Sequence, residues 1–462
     1  MNQCRAGFVA SAGQCVESHD ATPRLPACDA VVAGLRPEFS WLGPTDAAVS
    51  VELCADPACT TVIEGATVAN RRVFSPAQPL PRGVVFWRVS TASTSSPMRW
   101  SNPRRVVVTQ RGPSPGTMFA LRFDANGDGH GDLIIGAPAE DAIATRLGGN
   151  SLSAEQARIV GQSGSRLGAR VAPAGDLDGD GLGDVLATAP VRHEVLVALS
   201  GLNGAAVRRL TLQDAGVEGF ASEVEALGDF DGDGYADFAV RGRRAIVIVF
   251  GDREGQLSRR STLEWPEAVT GLRGRSDVNG DGRGDLWFTL ERQLFFLPGG
   301  ADPERTQALM LPLQAELERT TTYDFDADGF ADLFLAERGS YLRGRREPPF
   351  ELSLIDTSVI DAAVGDFNAD GLVDFATLAT SPIQTRVTFQ LSTPDGVFRP
   401  FVAPPLAGLL RFPSLGHGDL GGPGGDALLL QSAEGAVVTY APGQPPAFRE
   451  TVMLPRDAVV AR

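Results

Sequence analysis

The sequence predicts an all-β protein: a seven-bladed β-propeller preceded by a small β-sandwich. Three observations lead there. A nine-residue acidic loop recurs six times, beginning at Asp124, Asp176, Asp229, Asp277, Asp324 and Asp366. The starts are separated by 52, 53, 48, 47 and 42 residues, a period that marks propellers, solenoids and arrays. Between loops the chain carries short apolar runs and turn residues, with no helical stripe.

The loop is a set of oxygen donors on a fixed spacing. Position 1 is the starting Asp in every copy. Position 3 is Asn126, Asp178, Asp231, Asn279, Asp326 or Asn368, and position 5 is Asp128, Asp180, Asp233, Asp281, Asp328 or Asp370. Position 9 is Asp132, Asp184, Asp237, Asp285, Asp332 or Asp374. Alternate side chains in a tight turn converge, and calcium takes about 6–8 oxygen ligands. Position 6 is Gly throughout, which suits a chain folding around an ion. Position 7 varies (His130, Leu182, Tyr235, Arg283, Phe330, Leu372), as expected where only the backbone carbonyl binds. The expectation is up to six calcium ions. An EF-hand needs Glu at position 12, where this chain has Ile135, Ala187, Val240, Phe288, Leu335 or Thr377.

The second repeat shows the expected blade. Arg170–Gly175 leads into the loop, Asp184–Ala189 leads out, Glu194–Leu199 follows, and Ala206–Leu212 comes after the turn at 201–204. Similar third strands are expected at 245–250, 294–297 and 387–391. Runs apolar on both faces fit strands sandwiched between sheets, and four strands per repeat fit a propeller. A seventh unit is expected downstream. There Gly418, Leu420 and Gly422 replace the ligands, Asp426 remains, and an apolar run follows at 427–430.

Three segments are expected: a Cys-containing leader at 1–30, a β-sandwich at 31–112 and the propeller at 117–462. The five Cys lie within the first 59 residues. Cys54 and Cys59 are close enough to staple a local loop, and clustered Cys suits an oxidising compartment. Alternating runs at 49–53, 84–89 and 105–108, with Trp41 and Trp87 as core candidates, predict the sandwich.

Two resemblances follow from these residues. Phe39-Ser40-Trp41, then Phe86-Trp87-Arg88-Val89, then Trp100-Ser101 resembles a fibronectin type III-like module. The stretch 117–462 is similar to the FG-GAP/VCBS repeats of integrin α-subunit propellers and bacterial surface proteins. The residues that carry this are Arg166-Leu167-Gly168-Ala169, Asp176 to Asp184, Thr188-Ala189-Pro190 and Gly136-Ala137-Pro138. That resemblance implies calcium on one face of the disc, ligand recognition through other loops, and a mostly non-catalytic family.

Net charge is −16, and the loops alone hold 21 aspartates, so the acidity belongs to candidate cation sites. All cationic side chains are Arg, and no basic cluster of nucleic-acid type is present. No apolar run approaches the ~18 residues of a membrane span. No apolar leader precedes Cys4, so no signal peptide is expected in the sequence as read. The four His fall in no nucleophile motif, and Gly161-Gln162-Ser163-Gly164-Ser165 lacks the final Gly of a nucleophile elbow. The expectation is therefore a secreted or surface, non-catalytic module binding an extracellular protein or glycan. A lectin and a polysaccharide-degrading enzyme are the alternatives. Arg283-Gly284-Asp285 spells a tripeptide that integrins recognise, but Asp285 is position 9 of a loop and is expected on the ion.

Overall fold

The computed structural model describes residues 8–11, 14–17, 22–25, 30–33, 35–42, 48–56, 59–81, 83–91, 100–101, 103–109, 123, 125, 132–147, 155–178, 182–199, 207–211, 216–233, 235–252, 255–281, 283–317, 320–323, 330–335, 339–345, 350–354, 361–365, 367–368, 374–380, 385–392, 398–403, 414–418, 427–431, 436–441, 446–453 and 459–460. The architecture is all-β. Pro190–Arg192 and Pro303–Arg305 form short 3-10 turns, and among the described residues no helix is long and apolar enough to cross a membrane.

The N-terminal part forms a hairpin and two sheets. Phe8–Ser11 pairs with Gln14–Glu17. A three-stranded sheet takes the order Thr22–Leu25, Phe39–Leu42, Val73–Phe74. A five-stranded sheet takes the order Ala30–Ala33, Arg104–Thr109, Gly83–Thr91, Val49–Cys54, Val62–Val68. Strand Thr22–Leu25 comes from the stretch read as a leader, yet it pairs with Phe39–Leu42. Residues of both sheets share one buried cluster: Phe39 and Trp41 pack with Val49, Val51, Leu53, Val85, Trp87 and Val106. The Phe39 and Trp87 ring centroids are 5.1 Å apart. Core packing is thus what Trp41 and Trp87 do. On the opposite face of the larger sheet, Arg88 pairs with Glu52 at 2.7 Å and lies over the Trp100 ring at 4.7 Å. A Cys54–Cys59 disulfide closes the loop after Val49–Cys54. Cys4 and Cys28 lie outside the described residues.

Among the described residues from 133 onward, seven four-stranded antiparallel sheets follow in sequence order. The second sheet has Val171–Gly175, Asp184–Ala189, Glu194–Ala198 and Val207–Thr211. The third has Glu223–Gly228, Asp237–Arg241, Ala245–Val249 and Arg260–Glu264. The fourth has Val269–Ser276, Asp285–Leu290, Gln293–Leu297 and Leu309–Gln314. The fifth, sixth and seventh begin with Thr320–Tyr323, Asp361–Gly365 and Ser414–Gly418. The first sheet is built differently. Leu133–Ala137, Ala142–Arg146 and Glu155–Val160 are joined by Val459–Val460, near the end of the sequence, which pairs Val460 with Ile135 and Val459 with Gly136.

Successive sheets stack face to face through the alternation of their middle strands. Val185 and Ala187 point into a cluster with Ile134 and Ile143 of the first sheet. Leu186, between them, joins Phe238 and Val240 of the third sheet. Ala239 then meets Leu286 and Phe288 of the fourth, and Trp287 meets Leu333 and Leu335 of the fifth. Every such strand buries both faces, which is why these runs are apolar without a polar alternate. First strands of consecutive sheets lie side by side from Val171–Gly175 through Ser414–Gly418. This arrangement is consistent with a propeller.

Gly136 and Gly168 show what the Gly-Ala-Pro and Leu-Gly-Ala flanks do. A Cβ on Gly136 would lie 2.1 Å from the Gly168 carbonyl oxygen, so backbones of the first two sheets meet where no side chain fits. Gly168 has φ +91, a conformation that favours glycine.

Candidate metal centres

The second to sixth loops span the first and second strands of their sheets, and position 9 is the first residue of the second strand for Asp184, Asp237, Asp285, Asp332 and Asp374. The third and fourth loops are the most completely described. In the third, Asp233 N–H donates to Asp231 Oδ1 at 3.0 Å and Tyr235 N–H donates to Asp233 Oδ1 at 3.0 Å. In the fourth, Gly280 N–H donates to Asp277 Oδ1 at 2.6 Å, Asp281 N–H to Asn279 Oδ1 at 2.9 Å, and Arg283 N–H to Asp281 Oδ1 at 3.0 Å. Asp and Asn capture a backbone N–H two residues on, and a run of such captures winds the loop inward.

Carboxylates converge in the second and third loops, while Asp277, Asp281 and Asp285 of the fourth do not draw equally close. Ligand atoms of Asp176, Asp178 and Asp184 lie within 4.8 Å of one another, and so do those of Asp229, Asp231 and Asp237. These clusters can hold a metal ion. The donor set is all oxygen and anionic, the chemistry a hard divalent cation takes. Asp180 of the second loop lies outside the described residues. So do Asp124, Asn126, Asp128 and His130 of the first loop, Asp324, Asp326 and Asp328 of the fifth, and Asp366, Asp370 and Leu372 of the sixth. Of the remaining predicted residues, Leu182, Tyr235, Arg283 and Phe330 occupy position 7. Asp132, Asp332 and Asp374 are buried at position 9, and Asn368 is buried at position 3.

Position 9 has a second role that the spacing does not reveal. Its Oδ2 accepts the N–H of position 2 in five loops: Ala125 to Asp132, Leu177 to Asp184, Phe230 to Asp237, Val278 to Asp285 and Phe367 to Asp374. Its Oδ1 accepts a glycine N–H from beyond the third strand: Gly251 to Asp237, Gly299 to Asp285 and Gly344 to Asp332. One carboxylate therefore closes the loop and holds the third strand's exit. Asp285 of the Arg283-Gly284-Asp285 tripeptide is one of these fully buried groups, so it is not presented to a partner.

Neighbouring loops are also tied. The N–H at position 8 donates to the carbonyl at position 1 of the preceding loop: Ala236 to Asp176, Gly284 to Asp229 and Ala331 to Asp277, at 2.9–3.0 Å. A Cβ on Gly284 would lie 1.8 Å from the Leu227 carbonyl oxygen, so the fourth loop needs glycine at position 8.

Electrostatics mark these sites as cation-seeking. Burial, then the neighbouring carboxylates, push Asp237 and Asp233 well above the usual aspartate range. Burial and Asp277 do the same to Asp285. Without a cation, the folded state binds more protons than the unfolded chain, so stability falls as pH rises from 3.8 through the raised values. A bound divalent ion keeps the carboxylates ionised and competes with protons. The melting-temperature gap between calcium-loaded and calcium-depleted protein is therefore expected to widen from about pH 5 to pH 7.5. Paired thermal melts across that range check it, and a gap that narrows contradicts it.

No family model matches the chain. Human integrin alpha-IIb is 32% identical over an alignment of 141 residues, covering 25% of this chain and 14% of that protein. Mouse integrin alpha-IIb is 30% identical over the same length. The chain thus has weak, partial homology to integrin alpha-IIb and spans 14% of the length of these curated relatives. Among solved structures, catalytically inactive virginiamycin B lyase from Staphylococcus aureus with quinupristin has a TM-score of 0.43 at 10% identity, covering 68% of this chain and 92% of that one. Exotype rhamnogalacturonan lyase YesX has a TM-score of 0.37 at 13% identity, covering 88% of each chain. Likeness at this distance carries no reaction over. It does overturn the expectation that the chain is not an enzyme. Chains that share features of this architecture include lyases, so a missing nucleophile motif is no ground for excluding catalysis, and that expectation is withdrawn.

Proposed function

We propose that this chain is a calcium-stabilised binding module, secreted or displayed at the cell surface, that recognises an extracellular protein or glycan. In this reading residues 117–462 form a seven-bladed propeller holding up to six calcium ions, closed by pairing of Val459–Val460 with the first sheet. A fibronectin type III-like sandwich precedes it. The observation that carries the reading is the repeated placement of one oxygen-rich loop between the first and second strands of successive sheets, with carboxylates converging in the second and third. The Cys54–Cys59 disulfide supports an extracellular setting.

Recognition is assigned to the edge away from the cation loops. There Asp141 accepts the N–H groups of Gly164 and Arg166, ordering the 161–170 connection beside the 138–141 turn. Backbone bonds from Gly164 first, then Arg166, together with the Ser165 hydroxyl, hold the Asp141 carboxyl below the usual range despite its exposure. Arg166, Arg192 and Arg244 stand exposed along this edge. The lectin reading gains little, since Trp287 is fully buried and Trp265 packs on Phe288 with centroids 4.8 Å apart.

The test is an array of extracellular proteins and of neutral and acidic glycans, probed with and without calcium, with product release assayed on every glycan bound. Calcium-dependent binding weakened by Arg192→Glu or Arg244→Glu is the expected result. Binding that survives both substitutions contradicts the assigned edge. No binding to any target contradicts the proposed function, and product release from a bound glycan would favour the polysaccharide-degrading reading of the same fold.

A further inference from the structure

The second and third loops carry the same donors. Both have Asp at positions 1, 3, 5 and 9: Asp176, Asp178, Asp180 and Asp184 in one, Asp229, Asp231, Asp233 and Asp237 in the other. Arg259, immediately before the outer strand Arg260–Glu264 of the third sheet, turns its guanidinium onto Asp231 Oδ2. Asp231 is 2% exposed and is one of the three converging carboxylates. Its other oxygen, Oδ1, accepts the Asp233 N–H.

The guanidinium is held there from three sides. Its carbon lies 4.0 Å over the Phe250 ring, and its second amino group donates to the Ala301 carbonyl of the fourth sheet at 2.9 Å. Among the described residues, those one place before the outer strand in the fourth and fifth sheets are Ala308 and Phe350. Arg259 is the one cationic side chain in that set.

We infer that Arg259 is a built-in competitor for the third loop's cation and lowers that loop's affinity for it. This rests on the reading that the loops hold divalent ions. A fixed positive charge on a ligand carboxylate offsets part of the attraction for an arriving ion. In a buried site that loss is large, because little solvent screens it. The same guanidinium also joins the third loop to the fourth sheet through Ala301. An ion that draws Asp231 to itself therefore acts on a contact between sheets.

Terbium is a suitable probe, because Tyr235 at position 7 can sensitise its emission from the third loop. Tyr323 precedes the fifth loop, so the third-loop signal is the part lost in Tyr235→Phe. Arg259→Gln is expected to tighten third-loop binding roughly tenfold or more, while Arg259→Lys, which keeps the charge, leaves it within about threefold. An unchanged or weaker affinity in Arg259→Gln overturns the inference and leaves the cation reading standing. Absence of any Tyr235-dependent emission overturns both. A second arm keeps Arg259 in the chain. Phe250→Leu removes the ring beneath the guanidinium and is expected to tighten third-loop binding about threefold or more. An unchanged or weaker affinity there overturns the inference.

Discussion

Excess EDTA is expected to lower the melting temperature of this chain by about 6–15 °C relative to protein in about 2 mM calcium. Extracellular calcium modules bind at about 0.1–1 mM, so each occupied loop adds roughly 0.7–1.8 kcal/mol to the folded state by mass action. Six loops unfolding together give about 4–11 kcal/mol. Folded proteins gain about 2.1 cal/mol/K of unfolding entropy per residue, which converts that energy into the stated shift for the 117–462 stretch. The physical source lies in the clusters themselves. Clustered carboxylates repel one another when empty, and burial first, then that repulsion, raises Asp233, Asp237 and Asp285 above the usual aspartate range. Differential scanning calorimetry with and without chelator measures the shift, and an unchanged melting temperature refutes the structural role of the ions.

The second large effect is expected at position 9. Asp237→Ala removes the acceptor for three buried backbone donors, Phe230 N–H, Asp231 N–H and Gly251 N–H. An unsatisfied buried donor costs about 1–3 kcal/mol, so a loss of about 3–6 kcal/mol is expected. This loss persists in EDTA, because those bonds need no ion. Asp178→Ala supplies the contrast. Asp178 is partly exposed at position 3, and its replacement is expected to abolish most of the second loop's calcium contribution while costing under about 1 kcal/mol in EDTA. Urea unfolding of both variants, with and without calcium, separates the two roles. Asp237→Ala that is destabilised only when calcium is present would show position 9 to be a ligand and nothing more.

Much of the architecture was legible because it is periodic. A loop repeated on one spacing, with apolar runs at fixed offsets, announces itself without long-range information. The expected second-repeat strands lie close to Val171–Gly175, Asp184–Ala189, Glu194–Ala198 and Val207–Thr211. The apolar runs at 427–430 and 437–440 likewise became strands of a sheet whose loop has lost its ligands. Pairing between distant segments leaves no such trace. Val459–Val460 joins Leu133–Ala137 across more than three hundred residues, and nothing in a two-residue strand signals its partner. Thr22–Leu25 was missed because it is short and contains Pro23, which weakens a strand reading.

The candidate sites were legible to the same degree and no further. Aspartates on alternate positions predict convergence, and Asp176, Asp178 and Asp184 do converge. The spacing cannot show that position 9 is claimed twice by backbone donors, because Gly251 lies 14 residues from Asp237. Nor can it show Arg259 reaching Asp231 from 28 residues away. Catalysis was the reverse case. A sequence without a nucleophile motif was read as a non-enzyme, although a propeller-like fold assembles its edge from turns far apart in the chain. A motif scan sees only neighbours.

The most direct measurement is the number of calcium ions held per chain. After dialysis against about 2 mM calcium, bound metal is counted by atomic emission against the dialysate for the parent protein and for a variant carrying Asp176→Ala and Asp178→Ala. About four to six ions per parent chain, and about one fewer in the variant, is the expected result. A parent chain holding no calcium above the dialysate would contradict the account at its root.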